Sequence, residues 1–181
     1  KKIICNKSAQ AEDSALPGNS EDFDAIMELQ NLSDKDIEKI KNLFNVPNIM
    51  FPENTALVLT QHFANLNMTD YIGQAVLYQM TVDYFLEGNQ IYIKPHPDDL
   101  MNYTKELECC EVIHGTFPSE LLQVVSKNKP AKLLAINSAS ILNVKKYYNE
   151  IIYFNQEYLE TFLLNHQYYL FGNIVRELNL K

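Results

Sequence analysis

One histidine in this chain has a setting that suits chemistry. His96 lies in the run Lys94-Pro95-His96-Pro97, between two prolines. Each proline disfavours the helical region for the residue before it, so His96 is expected in a rigid, extended segment. An imidazole fixed in this way could donate a hydrogen bond to a phosphate or act as a general acid. A turn histidine without any chemical role is the simpler alternative.

A carboxylate and a pair of hydroxyls follow further along the chain. Glu120, two residues after Pro118, could accept hydrogen bonds from two ribose hydroxyls, or could simply stabilise the start of a helix. Ser138 and Ser140 lie in a turn of small polar residues, whose hydroxyl and backbone N–H groups could bind a phosphate. Capping of the next helix by one of these serines is the alternative.

Short apolar runs alternate with helical segments from residue 55 onward. Strands are predicted at 55–60, 90–94, 111–114, 132–136 and 150–154, and helices at 69–87, 99–108, 118–126 and 156–179. This alternation predicts an α/β fold: a Rossmann-like parallel sheet with helices on both faces. His96, Glu120 and the two serines follow the second, third and fourth strands. They should therefore meet in one crevice at the carboxyl edge of the sheet, and together they suit a nucleotide.

Residues 1–50 are interpreted as an N-terminal arm and a helical segment, and residues 51–181 as the nucleotide-binding domain. Ser33 is the predicted N-cap of a helix whose first turn is acidic. The last predicted helix carries aromatic residues that could pack on a partner or, alternatively, on the chain's own sheet.

Charge and cysteine content narrow the classes of protein. The net charge is −8, which excludes general binding of nucleic acid, because that requires a basic surface. No apolar run reaches about 18 residues, so no membrane-spanning helix is expected. The three cysteines include no C-x-x-C pair, which argues against a zinc site or a disulfide framework and favours a reducing, cytoplasmic compartment. Because the chain does not begin with Met, we interpret it as a piece of a longer polypeptide.

The order of these motifs resembles that of bacterial sialyltransferases. Lys-Pro-His-Pro, then Pro-x-Glu about twenty residues on, then a serine-rich turn is most similar to the lipooligosaccharide sialyltransferases of glycosyltransferase family 52. The capsule and polysialic-acid enzymes share the His-Pro and serine elements. The resemblance covers roughly residues 50–160. It implies the C-terminal, CMP-binding lobe of a two-lobed GT-B enzyme, with residues 1–50 as the linker from an absent acceptor lobe.

The resemblance also implies substrates and a location. The donor would be CMP-sialic acid and the acceptor a galactose-type sugar on a glycan, with inversion at the anomeric carbon and with neither a metal nor another cofactor. The full-length enzyme would be cytoplasmic in a bacterium, at the inner face of the membrane, where peripheral association is compatible with its role. A homodimer is also compatible with this reading.

Residue roles follow from the matching motifs. His96 would contact the CMP phosphate and protonate it as it leaves, with Lys94 and Pro97 of the same motif in the donor site. Glu120 would hold the cytidine ribose. Ser138 and Ser140 would bind phosphate oxygens, although the family's serines are usually adjacent and here Ala139 separates them.

An aspartate upstream of the His-Pro element is the general base in this family. Asp70 is the candidate here, with a carboxylate at a helix N-terminus as the alternative reading. Asp83 is the poorer choice because it falls in the middle of the predicted helix.

Two other functions are compatible with parts of the sequence. The run 95–99 (Pro-His-Pro-Asp-Asp) resembles the zinc motif of N-acetylglucosaminyl deacetylases, but Leu100 replaces the expected Glu and no His-x-x-His follows. A non-catalytic module that binds nucleotide is the second alternative.

Overall fold

The structure, a computed structural model, describes residues 3–5 and 20–165. The strands are β1 Ile3–Cys5, β2 Ser20–Asp22, β3 Thr55–Leu59, β4 Gln90–Lys94, β5 Cys110–Val112, β6 Lys132–Ile136 and β7 Glu150–Phe154. The helices are α1 Ala25–Gln30, α2 Asp34–Phe44, α3 Tyr71–Phe85, α4 Tyr103–Glu106, α5 Leu122–Val125, α6 Ser140–Val144 and α7 over 156–165. The predicted arm before residue 20 and the predicted tail after residue 165 lie almost wholly outside the described residues.

Five strands form one parallel sheet in the order β5-β4-β3-β6-β7. The chain runs outward from β3 through β4 to β5, then returns to the other side of β3 with β6 and β7. The strand order therefore reverses between β3 and β6. In open α/β sheets the ligand lies beyond the carboxyl ends of the strands at such a reversal. This topology confirms the predicted Rossmann-like fold. A separate parallel pair is formed by β1 and β2.

Helices cover both faces of this sheet. One apolar core joins the sheet to α3, α4 and α7, through Tyr78, Tyr103 and Leu159. The other joins it to α1, α5 and α6, through Ile26, Leu122 and Ile141. All five residues of β3 are buried, which explains why its sequence is apolar without alternation.

The segment before β3 begins with two capped helices. Ser33 accepts a hydrogen bond from the Asp36 N–H at 3.3 Å, which confirms it as the N-cap of α2. Asp24 caps α1 in the same way. Ile26 and Val46 from this segment are buried in the same core as the strands. Among the described residues, no helix combines the length and the apolar character that crossing a membrane requires.

Two predicted helices differ from the observed ones. The helix expected at 99–108 is formed only over Tyr103–Glu106, because Asp99 Oδ1 accepts the Met101 N–H at 3.1 Å and holds the chain in a turn. The helix expected at 118–126 begins as a 3₁₀ turn at Ser119–Leu121 before α5. The strands at 90–94, 132–136 and 150–154 are confirmed at the predicted residues.

Candidate functional site

His96 lies two residues after the end of β4, at the carboxyl edge of the sheet. Its backbone N–H donates to Thr60 Oγ1 at 3.2 Å. Its ring Nδ1 accepts the Asp98 N–H at 3.1 Å. A nitrogen that accepts a hydrogen bond carries no proton, so the neutral ring is protonated at Nε2. His96 is therefore held through its backbone N–H and through its ring Nδ1, and its Nε2–H is the ring's hydrogen-bond donor.

A second imidazole packs against this ring. The ring centroids of His62 and His96 are 4.3 Å apart and their planes are inclined by 33°. His62 Nδ1 is buried, and it has no hydrogen-bond partner among the described residues. Such an orphaned polar atom costs about 1–3 kcal/mol, so its presence in a native site calls for an explanation.

Burial and charge act on the His96 ring in opposite directions. Burial lowers the pKa of His96 most strongly, and His62 and Lys94 lower it further. Asp98 and Asp99 raise it by attraction. The net effect is a pKa below the ordinary value of histidine, so the free site holds His96 neutral at neutral pH.

Asp99, three residues after His96, accepts several hydrogen bonds. Its carboxylate accepts from Tyr103 Oη at 2.6 Å, Gln74 Nε2 at 3.1 Å and Thr60 Oγ1 at 3.2 Å, besides the Met101 N–H. Gln74 also accepts the Ala64 N–H at 2.7 Å, which extends the network into the loop after β3. Asp99 therefore fixes the loops that follow β3 and β4.

Lys94 is directed into the protein. It is 3% exposed, and its ammonium donates to the carbonyl oxygens of Pro95 and Gly115 at 3.0 Å each. Its Nζ also lies 4.6 Å from the centroid of the Phe117 ring. Burial lowers the pKa of Lys94 to about 8. Lys94 therefore joins the loops after β4 and β5, because its ammonium donates hydrogen bonds to carbonyl oxygens of the protein itself.

A cavity of about 390 Å³ opens beside the His-Pro loop. His96, Pro97 and Asp99 line it from the loop after β4, and His114 and Thr116 line it from the loop after β5. Pro97 is exposed there. The cavity has the size of a small ligand site and joins polar groups from two neighbouring strands.

Glu120 and the serine turn, which follow β5 and β6 in the chain, lie close together. Asn143 of α6 donates from Nδ2 to Glu120 Oε1 at 2.8 Å, which fixes Glu120 one helical turn from Ser140. Ser138 is 2% exposed, while Ser140 is partly buried and begins α6. The N-cap of α6 is Ala139 and makes no side-chain cap bond, so the alternative that a serine caps this helix is wrong.

Glu120 lines a different cavity from His96. This second cavity has a volume of about 330 Å³ and is mostly apolar, with Phe23, Phe44 and Leu121 among its lining residues. Its mouth includes Asp24, which contacts Lys146 and Tyr147. The structure thus brings Glu120 to the serine turn and His96 to His62, in two groups along one edge of the sheet.

Asp70 stands at the start of α3. It is exposed, and its Oδ1 accepts the Gly73 N–H at 2.6 Å, so the side chain caps the helix. Capping uses one carboxylate oxygen in the observed conformation. Asp83 lies in the last turn of the same helix, and not in its middle as expected from the sequence. It is exposed and accepts a hydrogen bond from Gln79 Nε2 at 2.7 Å.

Three residues hold or face His96: Thr60, His62 and Asp99. Sequence reasoning gave no role to Thr60 or His62, and it considered Asp99 only within the zinc motif at 95–99. A signal for His62 existed, because it follows β3 at nearly the distance at which His96 follows β4. Neighbouring parallel strands bring such residues together. Thr60 and Asp99 carried no such signal, since they are 39 residues apart and meet only through the sheet.

One group of metal-ligating side chains occurs in the described part of the chain. The ligand atoms of His62, His96 and Asp98 lie within 4.8 Å of one another. The centroids of the two imidazole rings are 4.3 Å apart, and the ring planes are tilted by 33°. His96 Nδ1 also already accepts the Asp98 N–H. The arrangement gives no support to the zinc deacetylase alternative.

The comparisons with known proteins point to one family. The model of the alpha-2,8-polysialyltransferase (POLYST) family matches residues 26–154, a stretch that contains all the candidate site residues described above. No curated protein and no solved structure shows a significant match to the chain. The match supports a sialyltransferase, as the motifs predicted, but does not single out the lipooligosaccharide enzymes or a C-terminal lobe. The chain belongs to the alpha-2,8-polysialyltransferase family.

Proposed function

We propose that this protein transfers sialic acid from CMP-sialic acid to a glycan acceptor, with inversion at the anomeric carbon. The observation that carries the proposal is His96: a neutral imidazole, protonated at Nε2, held at the carboxyl edge of the sheet within the segment that matches the family. The family's name specifies an α-2,8 linkage. The acceptor we propose is therefore a terminal sialic acid, in place of the galactose-type sugar expected from the sequence.

In the proposed reaction, an acceptor hydroxyl attacks the anomeric carbon as the bond to the CMP phosphate breaks. Asp70 takes the proton of that hydroxyl through the carboxylate oxygen that does not cap α3. The Nε2–H of His96 donates to the departing phosphate oxygen. Each positioned proton transfer of this kind contributes about 10²–10⁴-fold to the rate. No step in this scheme changes an oxidation state.

The remaining contacts with CMP-sialic acid are divided between the His96 loop and the group formed by Glu120, Ser138 and Ser140. Ser138 and Ser140 donate hydrogen bonds to phosphate oxygens. Glu120, beside them, accepts hydrogen bonds from the ribose hydroxyls. Lys94 and Pro97 act by holding His96 in place, because the ammonium of Lys94 donates to loop carbonyls. The nucleotide then spans β4, β3 and β6, whose neighbouring axes are about 5 Å apart.

Calorimetric titration with CMP tests the donor site. A matched pair of variants separates the two ring nitrogens of His96. His96→Asn keeps an acceptor for the Asp98 N–H but loses the Nε2 donor, so binding should weaken about tenfold or more. His96→Gln places an amide donor near the Nε2 position and should retain more of the affinity. Equal affinity of both variants and the wild type would contradict the proposed phosphate contact.

The ribose and base contacts need their own controls. Glu120→Gln should weaken CMP binding, while Glu108→Gln, an exposed change away from the edge, should leave it unchanged. UMP and AMP serve as competitors. If the protein binds UMP or AMP as tightly as CMP, its site is not selective for the cytosine nucleotide, and the proposal is wrong.

A further inference from the structure

We propose that His62 is a second imidazole of the donor-phosphate site, and that the adjacent pair of His62 and His96 takes up one proton when the nucleotide binds. This role of His62 depends on the proposed function, because the phosphate it would meet is that of the donor.

The sheet explains why the two rings meet. β3 and β4 are neighbouring parallel strands, with Leu59 opposite Lys94. His62 lies three residues beyond Leu59, and His96 lies two residues beyond Lys94. The Thr60 hydroxyl accepts the His96 N–H and so fixes the two loops against each other. The packing of the rings at 4.3 Å is therefore set by the backbone of both loops.

The polar atoms of the pair are prepared for a ligand oxygen. His96 carries its proton at Nε2, since Nδ1 accepts the Asp98 N–H. His62 Nδ1 is buried without a partner among the described residues. A native site tolerates such an atom when another molecule completes its hydrogen bond. A phosphate oxygen does so if His62 Nδ1 holds a proton.

The charged groups around the pair allow one proton to be added. Asp98 and Asp99 face His96 from its own loop and favour the charged ring, while burial and Lys94 oppose it. His114, two residues after β5, lines the cavity beside His96. Two imidazolium ions at this separation would repel each other, so the pair takes up one proton and titrates as a unit.

The direction of the pH dependence follows from this arrangement. In the free protein the lowered pKa of His96 keeps this ring neutral at neutral pH. A bound phosphate favours the charged form, so the complex holds more protons than the separated molecules. Affinity must then rise as pH falls, until the free pair itself becomes protonated. Above the pKa of the bound pair, affinity no longer depends on this proton.

The probe for this test is the methyl phosphodiester of CMP. Its phosphate carries one charge at neutral pH, like that of CMP-sialic acid, and does not itself titrate there. A phosphomonoester such as CMP would titrate near pH 6 and obscure the result. Calorimetric titration at pH 7 in buffers of different ionisation enthalpy gives the number of protons taken up. We expect about 0.5–1 proton for each ligand bound.

Three variants assign that proton. His62→Phe keeps a flat ring against His96 but removes both nitrogens, and should weaken binding about tenfold at pH 6.5 and flatten the pH dependence. His62→Asn restores a polar atom near the Nδ1 position, and should recover part of the affinity without the full proton uptake. Glu108→Gln, an exposed change outside the lining of this cavity, should leave the proton uptake as in the wild type.

Each outcome of these titrations is decisive. Binding without proton uptake, a His62→Phe protein identical to the wild type, or uptake that disappears in Glu108→Gln would overturn the role of His62 while leaving the proposed function intact. A folded protein that binds neither the diester nor CMP would overturn the proposed function, and the role of His62 with it.

Discussion

The backbone N–H of His96 donates to the hydroxyl of Thr60 at 3.2 Å, and this bond ties the loop after β4 to the end of β3. The same hydroxyl donates to Asp99 Oδ2 at 3.2 Å. Thr60 is 3% exposed, so water cannot readily replace either bond. The buried Thr60 hydroxyl thus positions both His96, the proposed hydrogen-bond donor to the phosphate, and the carboxylate of Asp99.

Replacing this hydroxyl by a methyl group should loosen the site. Thr60→Val keeps the shape of the side chain but leaves the His96 N–H without its acceptor. We expect the free energy of unfolding to fall by about 1–3 kcal/mol, as measured by urea denaturation. CMP affinity should fall on the order of tenfold, because a catalytic group displaced by a fraction of an ångström loses much of its effect.

Thr60→Ser is the matched control for this change, since it retains the hydroxyl. It should lose the small contribution of the buried methyl group and keep the CMP affinity of the wild type. If Thr60→Val binds CMP as well as Thr60→Ser does, the hydroxyl does not position His96.

Asp99 should be more costly to change than its neighbour Asp98. Its carboxylate accepts four hydrogen bonds, and Asp99→Asn would direct an amide N–H at one of those donors. Burial raises the pKa of Tyr103, and nearby Asp99 raises it further, so the phenol remains a donor. We expect Asp99→Asn to lower the free energy of unfolding by about 2–3 kcal/mol, measured by urea denaturation.

Asp98→Asn is the control, because the Asp98 side chain is largely exposed and has only a 3.8 Å contact with His96 Nδ1. Its stability should stay within about 0.5 kcal/mol of the wild type. An Asp99→Asn protein as stable as Asp98→Asn would show that Asp99 does not hold the loops together.

The central strands could be read from the sequence because they are buried on both faces and bounded by turn residues. The apolar run at 132–136 has this character, and β6 occurs at the predicted residues. The edge strand at 150–154 is largely exposed, yet it also occurs at the predicted residues. Short helices were harder to place, since a side-chain bond from Asp99 replaces the first turns of the helix expected at 99–108. Such a bond depends on local geometry that periodicity does not contain.

The face of α3 shows the same limit. The apolar period through Ile72, Val76, Met80 and Phe85 predicted the helix correctly. Ile72 and Met80 are nevertheless 71% and 58% exposed, while Gln74 and Thr81 are buried. Gln74 is buried because its amide bonds to Ala64, Asp99 and Tyr103, which only the folded chain brings together.

The depressed pKa of Lys94 predicts how stability depends on pH. Its pKa is about 8 in the folded protein, against an ordinary value of 10.5. Between these values the unfolded chain binds more protons than the folded protein, so raising the pH favours the folded state. The free energy of unfolding should therefore rise between about pH 8 and pH 10. Above pH 10 the buried tyrosines, whose pKa values are raised, act in the opposite direction.

Lys94→Met isolates this contribution. The variant loses the hydrogen bonds to the carbonyls of Pro95 and Gly115, so it should be less stable overall. The difference in the free energy of unfolding between the wild type and Lys94→Met should change with pH only in this window. Urea denaturation at pH 7, 8, 9 and 10 measures it. A difference that is constant across these values would mean that Lys94 titrates normally.

Asp70 can be tested as the general base without disturbing the helix that it caps. Asn caps helices about as well as Asp, so Asp70→Asn should keep the bond to the Gly73 N–H and change stability by less than about 0.5 kcal/mol. It removes the negative charge that a base requires.

If Asp70 accepts the proton of the acceptor hydroxyl, kcat for sialic acid transfer should fall about 10²–10⁴-fold with KM for the donor unchanged. Asp83→Asn, on the same helix and also exposed to solvent, should keep the wild-type rate. Full activity of Asp70→Asn would assign Asp70 to the helix alone, and the base would then have to be sought among other carboxylates near the cavity beside His96.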